Sequence, residues 1–221
     1  MKARSLDPSA AGAPDVGDAC RRLEIDLSST QTERLATYVQ LLLRWNTVYN
    51  LTAVRDPEKV WTHHVFDCLS AVGALRRHRA AHLVSRVLDV GSGAGMPGVV
   101  LGIAEPDLEI ACVDCVGKKV AFIRQAVAEL GLANVTAVHH RVETWHAAPF
   151  DLIASRAYAS LLEFTSSTRH LLAEEGTWMA MKGRVPSAEL AELGSSTVFH
   201  VEPLGVPGLD AERCIVWMRP S

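Results

Sequence analysis

The sequence predicts an α/β protein built on a doubly wound, mostly parallel seven-stranded sheet, with a helical segment in front of it. Three observations carry that prediction. From residue 84 onward, short apolar runs alternate with amphipathic stretches of helical period; residues 91–98 break one such alternation with four glycines; and residues 30–79 show helical periodicity alone.

The elements follow in order. Residues 30–49 place Leu35, Val39, Leu42, Leu43 and Val48 on one stripe, and Thr30 with Glu33 has the spacing of a capping box. Asn50-Leu51-Thr52 ends that helix. Asp56-Pro57 starts a second one running to about residue 79, because proline suits a first helical position and Val60, His64, Phe66, Leu69 and Val72 keep the stripe. Strands are then expected at 84–90, 108–113, 135–139, 150–155, 177–182, 196–202 and 213–218, with helices at 97–104, 118–130, 159–173 and near 186–193. The last two strands follow one another closely, which predicts an antiparallel hairpin at one edge of the sheet. The expected division is a disordered tail over 1–17, a helical cap over 18–82 and a Rossmann-like domain over 83–221.

The 221 residues are 48% hydrophobic, enough for one good core. No run approaches the ~18 apolar residues of a membrane span, and the first residues lack a signal-like apolar stretch, so a cytoplasmic protein without membrane contact is expected. Five cysteines, an odd number, point to free thiols. Cys112 and Cys115 have C-x-x-C spacing, but a structural zinc site wants four ligands and there is no second such pair, so small buried thiols at a strand end are expected. The net charge of −3 argues against wholesale nucleic-acid affinity, yet it is unevenly spread: residues 1–88 hold 12 Lys and Arg against 9 Asp and Glu, the remainder 10 against 16. The basic part includes Arg44, Arg55, Lys59 and the cluster Arg76-Arg77-His78-Arg79. That cluster reads equally well as a phosphate-contacting surface and as a solvated helix end whose cations complement the dipole.

The chemistry centres on Leu88-Asp89-Val90-Gly91-Ser92-Gly93-Ala94-Gly95-Met96-Pro97-Gly98. Glycines there let the backbone turn sharply and approach a ligand at the meeting of a strand's carboxyl end and a helix start. Gly93, Gly95 and Gly98 satisfy G-x-G-x-x-G, and Asp114 lies where a dinucleotide site keeps its ribose acid. Asp89 opposes that reading, since a carboxylate just before the first glycine would repel a diphosphate. S-adenosylmethionine carries an amino group and a sulfonium and no phosphate, so the same carboxylate would favour it. On the loop alone both cofactors remain open.

Further blocks extend the pattern: Arg44-Trp45-Asn46, Tyr49-Asn50-Leu51-Thr52, Val54-Arg55-Asp56-Pro57, His64, Asp67, Arg141-Val142-Glu143, Ser155-Arg156-Ala157 and Lys182-Gly183. Together with the loop, in order and spacing over about residues 30–219, they resemble the RsmG (GidB) family. Met96 stands where leucine is usual in the family, and Cys68 where serine usually follows the aspartate. The resemblance implies the class I S-adenosylmethionine-dependent methyltransferase fold and transfer of a methyl group to N7 of a guanosine in the decoding region of bacterial 16S rRNA. It also implies cofactor contacts at Gly91, Gly93, Gly95, Met96, Asp114, Val142, Glu143 and Arg156, with Asp114 on the ribose hydroxyls and Glu143 or the adjacent backbone at the adenine edge.

Substrate contacts are expected at Asn46, Asn50, Arg55, His64 and Lys182. Of these, Asn50 reads equally as a helix terminator and His64 as a satisfied core histidine. Lys182 ends an apolar run and precedes a glycine, which suits entry into a cleft. No general base and no metal are expected, the partner is 16S rRNA in the small ribosomal subunit or its precursor, and the protein is expected to act as a monomer. An NAD-linked oxidoreductase and a noncatalytic RNA-binding assembly factor are the competing readings.

Overall fold

A computed structural model of the chain describes residues 14–193 and 197–220. Its helices are α1 (Val16–Arg22), α2 (Ser29–Tyr49), α3 (Pro57–Val60) and α4 (Asp67–Ala81), the last two joined by a π-helical turn over Trp61–Phe66. Then come β1 (Arg86–Val90), α5 (Gly98–Ala104), β2 (Glu109–Asp114), α6 (Gly117–Leu130), β3 (Val135–His139), β4 (Phe150–Arg156) and α7 (Leu161–Thr168). The chain ends with β5 (Leu172–Lys182), α8 (Ser187–Leu193), β6 (Val198–Pro203) and β7 (Cys214–Met218).

The strands form one sheet in the order β3-β2-β1-β4-β5-β7-β6. The first five are parallel, while β7 is antiparallel to both β5 and β6, so the expected hairpin is present with β6 outermost. The order reverses beside β1, which opens a crevice between the loops after β1 and β4 at the carboxyl edge. Two cores flank the sheet. One joins Leu35, Tyr38, Leu69, Leu75, Val99, Ile103, Phe122 and Ile123 to the sheet residues Val87, Ile110, Leu152 and Met179; the other joins Leu161, Phe164 and Trp178 to Leu88, Val90 and Ile153. The N-terminal helices therefore share the core of the face that carries α5 and α6.

Several boundaries move, for local reasons. The capping box of α2 is Ser28 with Gln31, two residues earlier than Thr30 and Glu33, and the Gln31 amide also donates to the carbonyls of Ile103 and Ala104 at 2.9 and 3.0 Å. Of the expected tail, residues 1–13 lie outside the described residues, but Val16 and Gly17 already belong to α1. Residues 196 and 221, placed in the last strand pair and at the domain end, also lie outside them. The helix expected over 159–173 stops at Thr168, where hydroxyls bond back to preceding carbonyls, Thr168 to Phe164 at 2.6 Å and Thr165 to Leu161 at 3.0 Å, and loosen the helix. β5 then starts at Leu172, five residues earlier than expected. The exposed Glu174 and Glu175 interrupt its apolar run where its pairing with β4 shifts register.

Candidate functional site

Two cavities open at the carboxyl edge and share Ala157. The first, about 300 Å³, lies among Val90 and Gly91 after β1, Asp114 to Val116 after β2, residues 140–143 after β3, and Ala157 to Ala159 after β4. The second, about 250 Å³, is lined by His63, Asp67, Arg156, Met181, Lys182, Gly183, Leu204, Arg213 and Cys214. Ala157 at the junction has φ of 59°, a left-handed conformation that a residue with a Cβ adopts at a cost of about 1–2 kcal/mol.

The first cavity is an apolar slot with charges of both signs at its border. Val90, Val113, Val116 and Val142 form its walls, and Asp114, Glu143, Lys119 and Arg141 border it. Gly91 (φ 66°) must be glycine on two counts, because a Cβ there would also meet the Tyr158 ring at 2.9 Å. Asp114 accepts the amides of Gly93 at 2.9 Å and Val116 at 2.8 Å, with the Lys119 ammonium 3.7 Å away. A carboxylate offers about four lone-pair sites, so capacity for two further hydroxyl donors remains. An apolar slot with an accepting carboxylate at its border fits an adenosyl group.

Four of the expected cofactor residues do not line this cavity. Gly93 gives its amide to Asp114; Gly95 (φ 86°) closes on α5, where a Cβ would lie 2.5 Å from Val99; Met96 is buried with its sulfur 3.6 Å from Arg156. These three shape the loop from behind. Arg156 points into the second cavity. Asp89, expected to attract the cofactor's charge, is wholly buried beneath the loop: Oδ2 accepts the Gly98 amide at 2.8 Å, at the start of α5, and Oδ1 has no partner. Burial pushes its pKa up to about 7. Cys112 is buried beside it, whereas Cys115, expected to be buried too, is exposed at the rim of the first cavity.

The second cavity is organised by one carboxylate. Asp67, nearly buried at the start of α4, receives Arg156 Nη1 on Oδ2 at 3.0 Å and Arg213 Nε on Oδ1 at 2.9 Å. Within the π-helical turn the His63 carbonyl accepts from Arg156 at 3.0 Å and lies 3.0 Å from His64 Nδ1. His64 lies 3.3 Å from Arg156 through Nδ1 and bonds Thr52 Oγ1 through Nε2 at 2.7 Å. Burial, and then the Arg156 charge, lowers its pKa to about 4, so the ring is neutral at physiological pH. Lys182 reaches the cavity but is paired with Glu189 at 2.9 Å and donates to the Ala159 carbonyl at 3.3 Å.

The expected substrate residues divide. Asn46 is buried, with both ends of its amide engaged, to the Val54 carbonyl at 3.2 Å and from the Thr52 amide at 2.9 Å; it secures the turn after α2 and presents nothing to a substrate. Asn50 ends α2 in the left-handed conformation (φ 48°) and accepts from Arg55 at 2.8 Å; both are exposed and line neither cavity. The Arg76 cluster lies in the last turns of α4. Arg76 and Arg79 clasp Glu105 at 2.8 and 2.7 Å, Arg79 also pairs with Asp107, and Arg77 pairs with Glu202. Its reading as a helix end with paired cations is the better supported one, because these charges have carboxylate partners and line neither cavity.

Tyr158 and Arg213 were not anticipated, and Ala157 stood only within the block Ser155-Arg156-Ala157, without a role of its own. Arg213 had a usable signal, a cation directly before the apolar run 214–218, the mirror of Lys182 after its own strand. Tyr158 and Ala157 follow Arg156 in a loop without periodicity.

This sheet order, with a glycine-rich turn after β1 and an acidic residue ending β2, defines a class I S-adenosylmethionine-dependent methyltransferase. Solved structures agree on the fold: the S-adenosylmethionine-dependent methyltransferase SibL in its apo form superposes with a TM-score of 0.56 at 16% identity, covering 93% of this chain and 74% of SibL. The glycopeptide N-methyltransferase MtfA, complexed with S-adenosyl-L-methionine, gives 0.54 at 12% identity over 68% of this chain and 87% of MtfA. The family model described as GidB, rRNA small subunit methyltransferase G, matches residues 31–216, and the chain belongs to that family. The chain is 52% identical over 211 residues to the ribosomal RNA small subunit methyltransferase G of Acidovorax ebreus, covering 92% of this chain and 93% of that protein. It is 51% identical over 208 residues to the protein of the same name from Methylibium petroleiphilum, covering 94% of each. The nicotinamide reading ends here: the chain is a methyltransferase and its cofactor is S-adenosylmethionine.

Proposed function

We propose that the chain methylates N7 of a guanosine in the 16S rRNA of the small ribosomal subunit, with the first cavity holding the cofactor and the second receiving the nucleotide. The observation that carries this reading is the meeting of two unlike cavities at Ala157, one an apolar slot with Asp114 and Glu143 balanced by Lys119 and Arg141, the other with Arg156, Arg213 and Lys182 around the single carboxylate of Asp67. The valine walls and the accepting carboxylate of the first suit an adenosyl group, and the excess of cations in the second suits a polyanion. S-adenosylmethionine supplies a methyl group on a positively charged sulfur. Guanine N7 is unprotonated at neutral pH, so its lone pair forms the new N–C bond as the S–C bond breaks, and the positive charge passes to the purine without proton removal.

Within that reading, Asp114 takes the ribose hydroxyls, and Val142 with Glu143 borders the adenine. Arg156, held rigid by Asp67, and Arg213 and Lys182 with their remaining N–H donors orient guanine O6 or a phosphate. No helix among the described residues is long and apolar enough to cross a membrane.

The test incubates the protein with methyl-labelled cofactor and small-subunit particles lacking the modification, then cleaves the RNA at N7-methylguanosine. A single labelled position in 16S rRNA is expected. Cofactor binding with no transfer to particles or to extracted RNA would leave a noncatalytic assembly factor instead.

A further inference from the structure

Charge at the border of the first cavity balances. Asp114 and Glu143 stand against Lys119 and Arg141, with Lys119 3.7 Å from Asp114. Asp89, the further carboxylate near the glycine loop, is wholly buried beneath it. Two anions against two cations give the positive sulfur of the donor no net attraction. A sulfonium also has no N–H to donate. Like a quaternary ammonium, it is recognised by field and close contact, and the negative face of an aromatic ring supplies both.

Such a ring is present. Tyr158 lines the first cavity and directly follows Ala157, the residue shared with the second. Residues two apart on an extended chain point to one side. The left-handed turn at Ala157 (φ 59°) breaks that alternation, so Arg156 lines only the second cavity and Tyr158 only the first. One strained residue thus directs one side chain to each cavity.

The ring is fixed from three directions. It packs on Gly91 so closely that a Cβ there would lie 2.9 Å from it, Phe164 meets it in a T-shaped contact at 5.9 Å, and its hydroxyl is turned toward Ser167 of α7. Burial raises the pKa of that hydroxyl above its ordinary value, so the group is un-ionised. With the hydroxyl turned to α7, what Tyr158 offers the cavity is its ring. A methyl group that leaves the first cavity for a nucleotide in the second must cross at Ala157, one residue from that ring.

We propose that the Tyr158 ring is the cation-recognising element of the cofactor site: it holds the sulfonium by a cation–π contact and so favours the charged donor over S-adenosylhomocysteine, the neutral thioether left after transfer. The proposal rests on the reading above that places the cofactor in the first cavity. It gives the loop after β4 a second task beside that of Arg156, the release of spent cofactor, because the product lacks the charge through which the donor was held.

Calorimetry with three ligands tests it: S-adenosylmethionine, S-adenosylhomocysteine, and sinefungin, in which an ammonium replaces the sulfonium. Tyr158→Leu should weaken S-adenosylmethionine and sinefungin about tenfold, within the range of a partly desolvated cation–π contact, and leave S-adenosylhomocysteine within about twofold. The retained thioether affinity shows that the cavity is folded. Tyr158→Phe should keep the wild-type preference for the charged ligands. Fluorinating the ring of that variant, at nearly constant shape, should lower the preference stepwise; this series carries the test if Tyr158→Leu does not fold. Equal effects of Tyr158→Leu on all three ligands, or a preference indifferent to fluorination, would reduce Tyr158 to a wall and overturn the proposal. Asp114→Ala distinguishes that failure from failure of the cavity reading, because it removes the ribose acceptor common to the three ligands and should weaken them alike. Wild-type affinities in Asp114→Ala and in every Tyr158 variant would place the cofactor elsewhere and end both.

Discussion

The cofactor cavity and the nucleotide cavity share Ala157 but hold their shapes by opposite means. The first is a backbone structure: Gly91, Gly93 and Gly95 take left-handed conformations, and the Asp114 carboxylate binds two amides across the turn. The second is a side-chain structure, in which Asp67 joins Arg156 at the end of β4 to Arg213 at the start of β7, and Lys182 leans on Glu189. A backbone site tolerates exchange of neighbouring side chains and fails when a glycine gains a Cβ. A side-chain site fails when its one anion is lost. The difference assigns the variants below.

The largest effect is expected at Asp67. Asp67→Ala leaves two guanidiniums, each about one-fifth exposed, facing one another without a counterion. Removing one partner of a buried ion pair costs about 3–5 kcal/mol, and the partial exposure of the arginines places this case near ~3 kcal/mol. Urea unfolding should register that loss, and methyl transfer should fall with it, while cofactor affinity in the folded fraction stays near wild type. Unchanged stability would show that the second cavity is not held by Asp67.

Asp114→Ala attacks the first cavity and should behave differently. Loss of hydrogen bonds to a charged acceptor should weaken cofactor binding by about 1.5–3 kcal/mol. Because the same carboxylate also accepts the Gly93 and Val116 amides, about 1–2 kcal/mol of stability should go as well. Calorimetry and urea melts separate the two losses. A stability loss with unaltered cofactor affinity would confine Asp114 to bracing the loop.

The loop of the first cavity was legible in the sequence because everything that makes it is local: an apolar strand, glycines at close spacing and an apolar helix face within one stretch. The doubly wound sheet and its terminal hairpin followed from alternation for the same reason, whereas the strand order is a tertiary property that no local pattern states. The second cavity was only partly legible. Asp67 and Arg156 stood out among the family-like blocks, but the contact between Asp67 and Arg213 spans 146 positions, and no periodicity encodes it. Asn46 misled for a related reason. A polar residue at the end of an amphipathic helix suggests a ligand, yet its burial and its two bonds to the following turn appear only once the chain has folded. The Arg76 cluster misled because its carboxylate partners lie 26 to 125 positions away.

Proton linkage gives the two regions opposite signs. Asp89, behind the first cavity, keeps its proton up to about pH 7 in the folded chain, against an ordinary value of 3.8, so the stability it confers at low pH is lost as pH rises through that window. His64, beside the second, is held neutral down to about pH 4 against an ordinary 6.5, so its contribution is present above 6.5 and lost as pH falls toward 4. Asp89→Asn should remove the first slope alone. Relative to wild type, the variant should gain on the order of 1 kcal/mol or more between pH 5 and pH 8 in urea unfolding. Parallel curves for the two proteins would mean that Asp89 is already ionised in the folded chain.

The smallest expected effect is on the chemical step, where the comparison predicts almost none. Neither titrating group is placed to take a proton from the substrate. His64 is neutral throughout the working range and turns its Nε2 to Thr52, and Asp89 lies beneath the loop, outside both cavities. Guanine N7 offers its lone pair without deprotonation, so orientation by Arg156, Arg213 and Lys182 carries the acceleration. Single-turnover rates at saturating cofactor and particle should therefore vary by no more than about twofold across pH ~6–8.5, whereas an essential titrating base would change them about tenfold per pH unit below its pKa. A limb near pH 7 that vanishes in His64→Gln would place a proton acceptor in the second cavity. A limb that vanishes instead in Asp89→Asn would mean that the charge state behind the first cavity reaches the reacting sulfur. Either result would end the division of labour between a cavity that binds by its backbone and one that orients by its arginines.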